Sequence, residues 1–311
     1  MLHRMQVFVD ALLEQWNVFA LHAELIVVEW NPPRDRKRLW EELVWPRKIE
    51  SGKVRFLEVP NEIHQLYPNS DKIPHFEYLA KNAGIRRAEG GFILATNPDL
   101  IFSNEIIEYM AEGKLSRDCF YRTDRYDVDS QVPLQCALEG KLDFCRKNCF
   151  RFHRHNETIN LLPHRKLADK LEESKNRQLM RTGLEPRKER VLDLEDVHTN
   201  ASGDFLLMAK EAWFDLHGYP GVFTHSHIDS MMCWMAATLS LRQAIMRRPM
   251  RIFHQEHDRT AHTQRPLTEY LPLKERIQDS MATGTPFVFN GEEWGLGGVS
   301  LEEKHIIEGP K

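Results

Sequence analysis

Leu2, Met5, Val9, Leu12, Leu13 and Trp16 recur at the three-and-four spacing of one helix face, so the chain opens in an amphipathic helix. Glu24–Trp30 (ELIVVEW) is a short apolar run that predicts a buried strand, broken by Pro32 and Pro33. A helix over Arg34–Val44 and a second strand over Val54–Val59 follow. A polar loop holding Pro60, Asn61, Pro68 and Asn69 leads to a helix over Ile73–Ala88, stopped at Gly90 and Gly91. Phe92–Ala95 predicts a third strand, Asn104–Ala111 a helix capped by Ser103, and Cys119–Arg122 another strand. Strands separated by helices predict an α/β fold: a mixed, mainly parallel sheet flanked by helices.

The middle changes character. Arg165–Arg190 carries nine basic and five acidic residues with few large apolar ones, which predicts an exposed helix plus loop inserted at about 163–192. Asp204–Ala209 predicts a strand, Lys210–Leu216 a helix ended by Gly218 and Pro220. Ile228, Met231, Met232, Met235 and Leu239 form one stripe of a further helix, and Arg251–His254 a short strand. The expected organisation is one domain over 1–260 and a proline-containing tail over 261–311 that wraps the core.

Composition narrows the class without naming a chemistry. The 311 residues include 42 lysines and arginines against 46 aspartates and glutamates, a formal net charge of −4, which argues against a general nucleic-acid binder. No apolar run is long enough to span a bilayer. Five cysteines without regular spacing fit a reducing compartment, so a cytoplasmic location is expected.

Four places could carry chemistry. Thr96-Asn97-Pro98-Asp99 puts a carboxylate just after a strand, where open α/β sheets bind ligands, although Asn-Pro-Asp also builds turns. Glu29-Trp30-Asn31 ends the first strand and could meet a ribose or base, or simply face solvent. In His225-Ser-His227-Ile-Asp229, Asp229 could be a general base; Ser226 and Asp229, three apart, also fit a capping arrangement. Phe253-His-Gln-Glu-His257-Asp-Arg259 offers metal ligands of the His and carboxylate type, or plain surface polarity. Cys145, Cys149, His153 and His155 form a poorer zinc candidate, because the intervening residues alternate as a strand does.

These pieces stand in a familiar order. The run Leu79-Ala-Lys-Asn-Ala-Gly-Ile-Arg-Arg-Ala-Glu-Gly-Gly-Phe-Ile-Leu-Ala-Thr-Asn-Pro-Asp99 resembles the family-2 glycosyltransferase segment that reads roughly A-R-N-x-G-I-x-x-A-x-G-x-x-I-x-x-x-D-x-D. ELIVVEWN resembles the strand whose acidic end holds the nucleotide. Ala201-Ser-Gly-Asp-Phe-Leu-Leu-Met-Ala-Lys-Glu-Ala-Trp, with Gly218-Tyr-Pro and His227-Ile-Asp229, is similar to the acceptor half of the GT-A fold and to galactosyltransferase C-terminal segments.

The resemblance implies a GT-A, nucleotide-diphospho-sugar transferase-like fold. It implies transfer of a sugar from a UDP- or GDP-linked donor to a carbohydrate or lipid-linked acceptor, in glycan or cell-surface polysaccharide synthesis. Asp99 would be the metal-ligating Asp of the D-x-D motif, with Asn97 where its first Asp is expected. Glu29, Asn31, Lys81 and Asn82 would line the nucleotide site. Asp204 and His227 would sit by the donor sugar or acceptor. Asp229 would be the base of an inverting displacement. His257, or alternatively His254, would be a late ligand to Mn2+ or Mg2+. Lipid-linked acceptors would bring peripheral contact with the inner membrane surface, and no nucleic acid is expected. Relatives begin with an apolar strand that this chain does not show, so the sheet should lack its usual first strand. The alternatives are a catalytically degenerate binding or scaffold protein of the same fold, and a sugar-phosphate nucleotidyltransferase; the latter would want a Gly-rich basic loop near the start.

Overall fold

A computed structural model describes residues 1–155, 157–161, 186–221, 227–257 and 270–306. The opening helix α1 (Leu2–Phe19) buries Met5, Val9, Leu12, Leu13 and Trp16 of the expected stripe, with Phe8 beside them, while Leu2 at the helix start is exposed. β1 (Ala23–Trp30) pairs in parallel with β2 (Gly52–Val59), and β13 (Glu302–Ile306) adds antiparallel to the far edge of β2. Between them lie two one-turn helices, α2 (Leu39–Glu42) and, after β2, α3 (Asn61–His64). The helix expected over Arg34–Val44 is therefore reduced to four residues. Helix α4 (Glu77–Arg87) packs on β1 and next to β3 (Phe92–Thr96).

A second sheet runs β3, β10 (Phe205–Ala209), β5 (Cys119–Thr123), β11 (Arg242–Met246), β9 (Arg187–Arg190). A third runs β4 (Leu100–Phe102), β12 (Ile252–Gln255), β6 (Arg125–Val128), β7 (Cys149–Arg154), β8 (Glu157–Asn160). Three chain segments pass directly from the second sheet to the third: β3 into β4 through Asn97–Asp99, β5 into β6 through Asp124, and β11 into β12. The seam made by these crossings is where the polar residues of the site collect.

The mixed α/β class holds, but a mainly parallel sheet does not. Among the described residues three of the ten pairings are parallel (β1 with β2, β11 with β5, β12 with β6) and the rest antiparallel. The antiparallel partners are short strands with no long hydrophobic signal. Residues 187–190, read from sequence as part of an exposed helix and loop, pair with β11 as an edge strand. Residues 162–185, the bulk of the charged insertion, lie outside the described residues. Among the described residues β1 pairs only with β2 and β3 only with β10, so the sheet is interrupted between them.

Helices α5 (Asn104–Ala111), α6 (Leu138–Asn148), α7 (Lys210–Asp215), α8 (Ile228–Thr238) and α9 (Leu271–Thr283) cover the sheets. The stripe of α1 packs on Leu100, Phe102, Phe205 and Leu207. Met231, Met232 and Met235 of α8 pack with Trp213, Leu206 and Met208 in a second cluster. Burying each such side chain contributes about 1.5–3 kcal/mol, so these two cores hold the seam in place. No described helix is long and apolar enough to cross a membrane.

Candidate functional site

Asp99 is the last residue before β4, and His254 lies in β12, the strand antiparallel to it. Gln255 N–H donates to Asp99 O (3.0 Å), which fixes the two segments side by side. As a result His257 Nε2 stands 3.2 Å and His254 Nε2 3.7 Å from Asp99 Oδ2. One ligand atom from each of the three residues falls within 4.8 Å of the others, the one such group among the described residues. Asp99 Oδ1 is buried and has no hydrogen-bond partner. A buried carboxylate oxygen left unpaired is costly, and a cation would satisfy it. One carboxylate oxygen and two imidazole nitrogens form a donor set for a transition-metal dication, Mn2+ included, more than for the all-oxygen shell of Ca2+.

Behind His254 stands Asp127 of β6, fully buried. His254 Nδ1 approaches Asp127 Oδ1 to 3.2 Å, an ion-pair contact without an aligned hydrogen bond. His153 Nε2 lies 2.8 Å from Asp127 Oδ2, Arg125 Nε 3.0 Å from Oδ1, and Arg151 also donates to Oδ2. Burial alone would raise the Asp127 pKa; His153, His254 and Arg125 reverse this and hold it well below the usual carboxylate range. Arg125 donates through Nη1 to Asp204 Oδ2 (2.8 Å). Arg151 also pairs with Glu256. The neighbouring cations Arg125 and Arg151 are thus already neutralised by Asp127, Asp204 and Glu256.

Asp204 sits at the seam, just before β10. It accepts Asn97 Nδ2 at Oδ1 (2.8 Å), while Thr96 Oγ1 donates to its backbone oxygen (2.8 Å). Burial pushes its pKa up, but Arg125 and His254 outweigh this and hold it below normal. Asn97 therefore turns to Asp204 and stands outside the Asp99 cluster. Gly203, the preceding residue, donates its N–H to Asp229 Oδ2 (2.8 Å), and its carbonyl accepts Lys81 Nζ (2.7 Å). Lys81 also pairs with Glu77 (2.7 Å). Asp229 is in the first turn of α8, preceded by His227 at φ 62°, whose ring meets Tyr270 edge-on at 5.8 Å. His225 and Ser226, and with them the expected Ser226 cap, lie outside the described residues.

The remaining sequence candidates have local partners. Glu29 accepts Leu39 N–H at both carboxylate oxygens (3.3 and 3.2 Å), capping α2, and burial raises its pKa against the opposing pull of Leu39 N–H and Arg38. Asn31, at φ 52°, accepts Asn61 Nδ2 (3.0 Å) and donates to Pro74 O (3.2 Å). Asn82 is buried, with Oδ1 accepting Tyr219 N–H (2.7 Å) and Nδ2 donating to Tyr219 O (2.8 Å). It clamps the turn after α7. The Cys145, Cys149, His153 and His155 zinc reading fails, since both cysteines are buried thiols and His153 turns to Asp127.

His254 stood in the sequence only as an alternative to His257, although its place in an apolar strand was a usable signal. Asp127, in Tyr126-Asp-Val, carried the same signal. Arg4 gives no such signal, because a lone arginine in an amphipathic helix reads as surface charge.

No family model matches the sequence, and no curated protein matches it. Among solved structures, the chain is similar to GalNAc-T7, crystallised with UDP, GalNAc and Mn2+. The identity is 10% and the TM-score 0.35, with 79% of this chain and 45% of that chain covered. The match thus spans less than half of that protein's length.

Proposed function

We propose that the protein is a metal-assisted glycosyltransferase of GT-A type, moving a sugar from a UDP- or GDP-linked donor to an acceptor hydroxyl. The observation that carries this reading is the Asp99, His254 and His257 cluster with its unpaired carboxylate oxygen. Those three residues would hold Mn2+ or Mg2+. The ion, when bound, supplies Lewis-acid neutralisation of charge on a departing diphosphate. Asp204, already ionised by Arg125, would face the donor sugar together with His227. Asp229, anchored by Gly203 N–H, would accept the acceptor's proton in an inverting displacement. Lys81 positions the Gly203–Asp204 turn from behind, and Asn82 the Tyr219 turn. Glu29, Asn31 and Asn97 border the donor side, the first shaping the β1 exit through its cap on α2. The acceptor class proposed is a carbohydrate or lipid-linked glycan, used at the cytoplasmic face of a membrane.

The test is a panel of nucleotide sugars read by nucleoside diphosphate release, with and without Mn2+, for the native chain and Asp99→Ala. Manganese-dependent release from one donor, abolished in Asp99→Ala, is expected. A folded native chain with no Mn2+-dependent affinity for UDP or GDP would sink the enzyme reading and leave a scaffold of the same fold.

A further inference from the structure

We propose that Arg4 is a second cationic contact for the donor's diphosphate, completing with the metal ion an anion site that neither makes alone. The inference rests on the glycosyltransferase reading above and names the residue that recognises the leaving group.

Arg4 lies in the first turn of α1, on the edge of its apolar stripe, with its side chain largely buried. Its carbonyl accepts Gln255 Nε2 (3.0 Å), which ties this turn to the strand between His254 and His257. The guanidinium reaches toward the cluster, with Nε 3.9 Å from Asp99 Oδ2. That separation is too long for a hydrogen bond. Arg4 Nε is buried and has no hydrogen-bond partner, and among the described residues Asp99 is the one acid paired with this side chain. Arg125 and Arg151, the other guanidiniums here, are each held by two carboxylates. Of these three, Arg4 is the one with a single acidic partner, and that partner stands beyond hydrogen-bond distance.

The charge balance points the same way. Two neutral imidazoles and one carboxylate holding a divalent ion leave one negative charge facing three positive ones once Arg4 is included. Such a site, with a net positive charge, attracts a polyanion. A diphosphate has two phosphoryl groups, one for the metal and one for the planar guanidinium fork, which matches phosphate oxygens in pairs. An orthophosphate can satisfy only one of the two cations well.

Isothermal titration of the full chain with MnCl2, and then of the Mn2+-loaded chain with pyrophosphate or orthophosphate, separates the possibilities. The native chain should bind pyrophosphate more tightly than orthophosphate, and only with Mn2+ present. Arg4→Gln should lower pyrophosphate affinity by about tenfold or more, the worth of a charge-assisted hydrogen bond. In the absence of anion it should bind Mn2+ as well as or better than the native chain, because a like charge has gone. Arg4→Lys should recover part of the pyrophosphate affinity. Unchanged pyrophosphate affinity in Arg4→Gln, with Mn2+ binding intact, overturns the proposal, as does parallel loss of both affinities, which marks a structural role. A native chain that binds no Mn2+ instead overturns the metal reading beneath it.

Discussion

His254 presents one ring nitrogen to Asp127 (3.2 Å) and the other to Asp99 (3.7 Å), so two carboxylates on neighbouring strands flank a single imidazole. Asp127 Oδ1 faces Nδ1, so with the proton on that nitrogen the Nε2 lone pair faces Asp99. A carboxylate behind a histidine ligand fixes its tautomer and raises its basicity. Asp127→Asn should therefore weaken Mn2+ binding by roughly 10–100-fold. Titration calorimetry measures this, and an unchanged Mn2+ affinity would show that His254 is not oriented by Asp127.

Asp229→Asn keeps an oxygen for the Gly203 N–H, now accepted at 2.8 Å, and so should fold normally. Loss of the basic oxygen should lower turnover by at least ~100-fold while leaving Mn2+-dependent nucleotide affinity unchanged. Measuring both on one preparation separates catalysis from binding. Full activity in the variant would remove Asp229 from the mechanism.

Asn82 and Gly218 form a structural lock. Asn82 makes two buried hydrogen bonds to Tyr219, and Gly218 sits at φ +70° where a Cβ would lie 2.3 Å from Asn82 Oδ1. Asn82→Ala leaves the buried Tyr219 N–H unpaired, while Tyr219 O keeps Asn290 Nδ2 (2.7 Å), and should cost about 1–3 kcal/mol. Gly218→Ala combines a left-handed backbone with that overlap and should cost at least ~1–3 kcal/mol. Urea unfolding gives both values; changes under half a kcal/mol would contradict the lock.

Stability should fall on the acid side. His198 is buried, which lowers its pKa against the opposing pull of Asp124, with Arg122 and His155 lowering it further. The unfolded chain then binds a proton below about pH 6.5 that the folded chain resists, so stability drops as pH falls through that range. Asp204, whose folded pKa is depressed, contributes stability present above its unfolded value of about 3.9 and lost as pH falls further. Urea unfolding between pH 8 and 5 should show the first loss, and His198→Gln should flatten it. An identical slope in the variant would assign the dependence elsewhere.

The strong periodicities transferred directly from sequence to structure. The α1 stripe, the β1 and β2 runs and the helix after Ser103 all stand where their patterns put them. Ser103 precedes that helix, yet its hydroxyl accepts Arg251 N–H and makes no cap. The short strands carry no such pattern: β4 has three residues and β6 four, lengths too brief for alternation to register. Those same strands place Asp99 and Asp127, so the parts hardest to read were the ones that build the site.

Sequence by itself determined the α/β class, the apolar faces of the main elements, and Asp99 and His257 as candidates, because local periodicity and residue chemistry need no partner to be visible. Tertiary structure alone decided that the pairing is mostly antiparallel. It also decided that His254 joins Asp99 and His257, that Asn97 turns to Asp204, and that Arg4 reaches the cluster from the first helix. Each of these depends on segments far apart in sequence meeting at the seam, as when Gln255 donates to the carbonyl of Arg4, 251 residues earlier. Strand register and long-range packing fix such meetings, and neither leaves a local signature.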